Sequence, residues 1–254
     1  MSSLSADQLE VTRIGEGPPV LFVHGSIVGA ELTWRRQHPL AERWTLVIPN
    51  RPGFGASPPL PRGDFEVEAR LFAELLGDGA HLVGHSYGAV IALLAAAARP
   101  QAVLSLTVSE PGALQLAGTP EGERMIAHGE MLYAAGDSIP RDDFLRLFRT
   151  GTGSSRATPA ELPEELLRGA ELAMRERPPW EAEVPLDQLA AVGLPALAIS
   201  GGHSPVFEAV CDRIATRLGG ERAVIEGRGH NIPETGAPYN DCLEAFLAKA
   251  QDCR

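Results

Sequence analysis

The sequence predicts an α/β fold, a mostly parallel, doubly wound sheet carrying a helical insertion. Three observations lead there. The run Val20 to His24 is apolar without alternation, which is how a strand reads when helices cover both faces of a parallel sheet. Such runs alternate with amphipathic stretches: in Phe65 to Leu76, Val67, Leu71, Phe72, Leu75 and Leu76 fall on one helical face. From Ala113 to Asp187 the rhythm stops, and helical segments follow one another with no strand-like run between them.

Taken in order, Leu9 to Ile14 alternates weakly and reads as an edge strand, closed by the turn Gly15-Glu16-Gly17-Pro18-Pro19. Val20 to His24 is the first buried strand, with Gly25 to Gly29 as the loop after it. Trp34 to Glu42 reads as helix, Trp44 to Pro49 as strand, and Phe65 to Leu76 as a helix ended by Gly77. A strand beginning at His81 then passes through Gly84-His85-Ser86-Tyr87-Gly88 into an apolar helix ending near Ala98. Ala102 to Ser109 is a further strand. Helices are expected near Glu121 to Ala134, Asp142 to Arg149 and Pro159 to Arg175, separated by Gly, Pro, Ser and Thr. Leu194 to Ser200 resumes the sheet, Pro205 to Leu218 is a helix, Ala223 to Glu226 the last strand and Tyr239 to Ala250 the closing helix. The expected division is a core of residues 1–112 and 188–254 around an insertion at 113–187.

A chain of 254 residues, 44% of them hydrophobic, suits one large domain carrying an insertion. With 33 acidic residues against 22 Lys and Arg, the formal charge of -11 makes nucleic acid and anionic membrane surfaces poor partners. Cys211, Cys242 and Cys253 are odd in number and lack metal-ligand spacing. The first residues lack a basic start and an apolar h-region, so a reducing cytoplasm is the expected location. The longest apolar run, Gly88 to Ala98, is too short to span a bilayer and reads as a buried helix. A small-molecule substrate is the expected partner, and the oligomeric state stays open.

The chemistry concentrates at Ser86. Glycines at both ends of a tight strand-to-helix turn permit strained dihedrals and keep the serine oxygen clear of neighbours, as a nucleophile elbow requires. Three more stretches stand in order around it: Leu21-Phe22-Val23-His24-Gly25-Ser26, Asn50-Arg51-Pro52-Gly53-Phe54-Gly55-Ala56-Ser57, and Gly227-Arg228-Gly229-His230. On these four motifs the chain resembles the α/β-hydrolase superfamily over most of its length. The resemblance implies a sheet of the α/β-hydrolase type, a helical cap at 113–187 that excludes water and shapes a pocket, and a serine hydrolase of the carboxylesterase-like branch without a cofactor.

It also implies roles. A serine hydroxyl needs a base within hydrogen-bond reach and a group orienting that base. His230 lies where the family places its histidine. His24 is the loop-bracing histidine, His85 is expected to point away from the nucleophile, and His38, His81 and His128 have no partner pattern. His203, in a loop at a strand end, is the rival. The family's usual acid position holds Ser204, within Gly201-Gly202-His203-Ser204-Pro205, and a hydroxyl there cannot offset the charge that builds on an imidazole. Glu110 follows the strand after the nucleophile strand, where some members carry their acid, and both strand ends open on the same edge of the sheet. Glu208 and Asp212 remain the alternatives.

The backbone N–H of Ser26, by family position, and of Tyr87, at a helix start, are the expected oxyanion donors. Asn50 to Ser57 resembles the family's D-x-R-G-x-G-x-S loop, with Asn50 in place of the aspartate and Pro52 inserted; Arg51 and Ser57 are expected to fasten turns. Of the apolar residues Met125, Ile126, Met131, Leu132, Tyr133, Phe144 and Phe148, the chosen substrate contacts are Met125, Leu132, Tyr133 and Phe148. No metal cluster, phosphate loop or dinucleotide fingerprint is read. The expected reaction is hydrolysis of a carboxylic ester, with thioesters and lactones close behind. Carbon-carbon cleavage of a diketone-like substrate is the enzymatic alternative, and a small-molecule sensor the non-enzymatic one. Serine at the elbow argues against the halide- and epoxide-opening branches, which use aspartate.

Overall fold

The computed structural model describes residues 4–153 and 161–252. Its elements are β1 (Val11–Ile14), β2 (Pro19–Val23), α1 (Ala30–Trp34), β3 (Thr45–Pro49), α2 (Phe65–Leu75), β4 (Ala80–His85), α3 (Tyr87–Ala98) and β5 (Val103–Ser109). Between β5 and the rest of the sheet come α4 (Pro120–Ala135), α5 (Arg141–Gly151), α6 (Glu164–Ala173) and α7 (Leu186–Val192). The chain closes with β6 (Ala196–Ser200), α8 (Pro205–Leu218), β7 (Glu221–Val224) and α9 (Ala237–Asp252).

The strands make one sheet in the order β1-β3-β2-β4-β5-β6-β7, parallel except for β1, which runs antiparallel to β3 at the edge. Apolar residues on both faces of β2 decide this layering. Leu21 and Val23 pack into one core with α2, α3, α7 and α8, while Val20 and Phe22 pack into the other with α1, α9 and the segment after α1. Each such side chain contributes about 1.5–3 kcal/mol when fully buried. Strand order reverses between β2 and β4, and in open sheets of this kind the crevice beyond the carboxyl ends at such a switch point is where ligands bind. The loops after β2, β4, β5 and β6 all leave that edge.

Several boundaries differ from the sequence reading. The helix expected over Trp34 to Glu42 is α1 followed by 3-10 turns at Arg35–Glu42. Pro39 lies inside that segment, and without an N–H it cannot continue an α-helical ladder. The last strand starts two residues earlier than expected, with the partly exposed Glu221 and Arg222, because it is an edge strand paired on one side only. The helix α7 was not anticipated; it straddles the expected boundary at 187 and packs on α3 and α8. Of the helix expected over Pro159 to Arg175, the described part is α6, and Pro159 lies outside the described residues. Among the described residues, no helix is long and apolar enough to cross a membrane.

Candidate active site

Ser86 sits between β4 and α3 with φ 57 and ψ -121. Among the described residues, the non-glycine positions with positive φ are Ile27 at 72, Ser86 at 57 and Glu110 at 46. All three fall beside one another at the carboxyl edge of the sheet, and conformations of this kind cost about 1–3 kcal/mol each. The strained dihedrals of the turn fall on the serine itself. Gly84 and Gly88 supply room instead. A Cβ on Gly84 would lie 2.6 Å from the Ala89 Cα, and one on Gly88 would lie 2.3 Å from the His24 carbonyl oxygen.

His230, from the loop after β7, places Nε2 2.9 Å from Ser86 Oγ. Its Nδ1 lies 3.1 Å from Glu110 Oε2. An ionised carboxylate only accepts, so Nδ1 carries the imidazole proton and Nε2 is left to accept from the serine hydroxyl. The Glu110 side chain is fully buried, and its other oxygen takes the Gly201 N–H at 2.7 Å. Burial alone would raise the Glu110 pKa; the hydrogen bonds and charge of His203 and His230 outweigh it and push the group down to about 2.

The alternative acids lie elsewhere. Glu208 accepts from Ser200 Oγ at 2.7 Å, Gly202 N–H at 3.0 Å and Arg222, and Asp212 accepts from Arg222 Nε at 2.8 Å. Ser204, at the family's acid position, stands at the N-cap of α8. His85 does not simply point away: its Nε2 donates to the His230 carbonyl at 2.8 Å, steadying the loop that carries His230. Burial, then the neighbouring His230, pushes the His85 pKa down to about 3.

The loop after β2 closes the other side of Ser86; a Cβ on Gly25 would meet Ser86 Cβ at 2.9 Å. Tyr87 is the first residue of α3, so its N–H has no intrahelical partner and faces the positive end of the helix dipole. The Ser26 hydroxyl donates to Glu176 Oε2 at 2.5 Å. Arg51 does more than fasten a turn. Its guanidinium pairs with Glu68 at 2.7 and 3.1 Å and Glu176 at 2.7 Å, donates to the Gly25 carbonyl at 2.9 Å, and lies 4.2 Å from the Tyr87 ring centre. Ser57 Oγ donates to the Asn50 carbonyl at 2.8 Å, and Asn50 Oδ1 takes the Ala30 N–H at 2.9 Å. Nothing in the sequence marked Glu68 or Glu176, which reads as an ordinary acid until the fold buries it.

Above Ser86 opens an apolar cleft. Met125, Leu132, Tyr133 and Phe148 all line it, together with Leu114, His128, Leu147, Pro179, Trp180 and Phe207, which the sequence reading did not select. Of the remaining apolar candidates, Phe144 is buried inside a cluster of the insertion, Ile126 packs against the main core, and Met131 is exposed. A second recess shares Ser26, Ser86, Phe148 and His230, and runs on past Thr33 and Asn231. The two meet at Ser86. Glu110, His203 and His230 bring one ligating atom each to within 4.8 Å of one another. Their positions are too far apart in sequence to form a spacing motif.

Comparison with known proteins places this geometry in context. A family profile described as the alpha/beta hydrolase family matches residues 20–245. A pimeloyl-[acyl-carrier protein] methyl ester esterase from Chromobacterium violaceum is 38% identical over 100 residues, covering 39% of each chain. A protein of the same description from Methylococcus capsulatus is 33% identical over 182 residues, covering 68% of this chain and 66% of its own length. These matches therefore span less than two thirds of either relative. In three dimensions the chain is similar to an alpha/beta hydrolase from Sphaerobacter thermophilus, with a TM-score of 0.68 and 21% identity over 94% of this chain and 96% of the other.

Proposed function

Because this chain belongs to the alpha/beta hydrolase family, we propose that it is a cofactor-independent serine hydrolase cleaving a carboxylic ester of a small molecule through an acyl-enzyme intermediate. The observation that carries this reading is the unbroken hydrogen-bonded chain from Ser86 Oγ through His230 to Glu110, at the floor of an apolar cleft. The esterase descriptions of the matched relatives support an ester over other acyl compounds.

Ser86 Oγ attacks the carbonyl carbon as His230 Nε2 takes its proton. The backbone N–H groups of Ser26 and Tyr87 hold the oxyanion; removing one such donor costs about 3 kcal/mol in well-studied hydrolases. Collapse breaks the ester C–O bond, and His230 returns the proton to the departing alkoxide. Water then attacks the acyl-enzyme with His230 as base, releasing the acid and restoring Ser86. Glu110 keeps the imidazole in the productive tautomer and balances its transient charge. The helices between β5 and β6 act as a cap, with Met125, Leu132, Tyr133 and Phe148 shaping the apolar arm of the substrate.

A fluorophosphonate probe combined with a panel of p-nitrophenyl esters tests the reading. Wild-type protein should be labelled and turn over, and Ser86→Ala should lose both. Ester cleavage persisting in that variant removes Ser86 from the mechanism, while labelling without turnover on any ester favours a sensor.

A further inference from the structure

Glu110 serves two imidazoles with one oxygen. Its Oε2 accepts from His230 Nδ1 at 3.1 Å and from His203 Nε2 at 2.9 Å. One ligating atom from each of the three side chains lies within 4.8 Å of the others. We propose that Glu110, His203 and His230 form a binding site for a divalent transition-metal ion of the zinc type, and that its occupation switches the hydrolase off.

The donor set selects the ion. Two imidazole nitrogens and one carboxylate are a three-ligand zinc set that leaves a fourth position for water, whereas calcium and magnesium prefer all-oxygen shells. The fit needs only small movements at the two hydrogen bonds. Zinc sits about 2.0–2.2 Å from nitrogen and oxygen ligands, so tetrahedral ligand atoms lie roughly 3.3 Å apart, a few tenths beyond the present separations from Oε2. The larger adjustment is between the two imidazoles, and His203 can make it. Its side chain is 18% exposed and stands in the loop between β6 and α8, while those of His230 and Glu110 are 7% and 0% exposed. The same exposure gives the ion its way in.

The switch follows from proton bookkeeping at His230. The ion takes the place of the protons on His230 Nδ1 and His203 Nε2, and each neutral imidazole keeps its single proton on its other ring nitrogen. For His230 that nitrogen is Nε2, which faces Ser86 Oγ at 2.9 Å. An Nε2 that already holds a proton cannot take the serine's, so the nucleophile is not activated. The metal site stands on the ligand geometry alone; the inhibition rests on His230 being the base.

Zinc chloride titrated calorimetrically into chelator-treated protein should show one saturable site, and the same concentrations should suppress p-nitrophenyl ester turnover, reversibly with EDTA. His203→Gln keeps an N–H for Glu110 but removes a nitrogen ligand. Zinc affinity and inhibition, each read against the variant's own metal-free rate, should both weaken about tenfold or more, whereas His128→Gln should leave zinc affinity as in the wild type. Cobalt in place of zinc should give the visible absorption of a tetrahedral site in the wild type, a readout that stands even if His203→Gln fails to fold. Absence of saturable binding, or a His203→Gln protein inhibited at the wild-type concentration, overturns the site. Binding without inhibition overturns the switch. Because Ser86→Ala should still bind zinc, a failure of the esterase reading is distinguishable from a failure of the metal site.

Discussion

Glu110 is the residue on which the candidate chemistry turns, since it holds the His230 tautomer from a left-handed backbone conformation that few glutamates adopt. Glu110→Gln keeps the size of the side chain while removing its charge, so circular dichroism should be unchanged and kcat should fall by about 10³–10⁴-fold. An equal loss in Glu208→Gln or Asp212→Asn, with Glu110→Gln still active, would move the acid elsewhere. A different histidine sets a pH limit. His24 Nδ1–H donates to the Gly25 carbonyl at 2.9 Å and Nε2 accepts the Arg51 N–H at 2.9 Å, so both nitrogens are used by the neutral ring. Burial, then the charge of Arg51, holds its pKa well below the ordinary value. The unfolded chain therefore binds a proton below about pH 6.5 that the folded chain refuses. Stability from this group is complete above that pH and declines as the pH falls, by about 1–1.5 kcal/mol between pH 7.5 and 5.5. Urea midpoints measured across that window should fall, and His24→Asn should lessen the slope by this group's share, the buried His85, whose pKa is pushed down to about 3, keeping its own.

At the level of elements, α4 lines the cleft. Met125, His128, Gly129, Leu132 and Tyr133 are linked by three- and four-residue steps, so one face of that helix lines the space above Ser86. Leu132→Trp should fill part of it. Turnover of a long-chain p-nitrophenyl ester should drop about tenfold relative to the acetate, because about 1.4 kcal/mol of lost pocket contact falls on the long chain alone. Equal loss on both esters would show that the acyl chain lies elsewhere. Such elements were legible where the signal is local. The elbow at Ser86 is a motif, and α2 has an apolar face and a capping Asp64 that accepts from the Glu66 and Val67 N–H groups. What was not legible depends on partners distant in sequence. The contact of His203 with Glu110 exists because β6 lies beside β5, and the burial of Glu176 because the chain after α6 returns to the loop following β2. The α7 helix is only seven residues long, too short for a periodic pattern to mark it, and it packs against α3 and α8.

Across the whole molecule, one guanidinium joins parts that the chain order separates. Arg51, after β3, binds Glu68 of α2, the Gly25 carbonyl after β2 and Glu176 after α6, and all three charged side chains are at most 2% exposed. Burial works against the arginine's charge, but the two carboxylates outweigh it and keep it ionised; Glu68, by contrast, is pushed upward by burial. A pair of buried acids sharing one cation tolerates the loss of an acid far better than the loss of the cation. Arg51→Met would leave both carboxylates without their counter-ion, which costs about 3–5 kcal/mol in buried networks. In a chain of this size each kcal/mol moves the thermal midpoint by about 2–4 °C, so the melt should fall by roughly 6–20 °C. Arg51→Lys should recover little of it, since a point charge cannot span two carboxylates and a carbonyl at once. Glu68→Gln should be much milder, because it removes the acid that burial already disfavours. Turnover should fall with stability in Arg51→Met, as the same side chain holds Gly25 and, through Glu176, the Ser26 hydroxyl. A melt shifted by less than about 3 °C in Arg51→Met, or a Glu68→Gln protein destabilised as much as Arg51→Met, would mean that the insertion and the sheet are held together by apolar packing and not by this ion network.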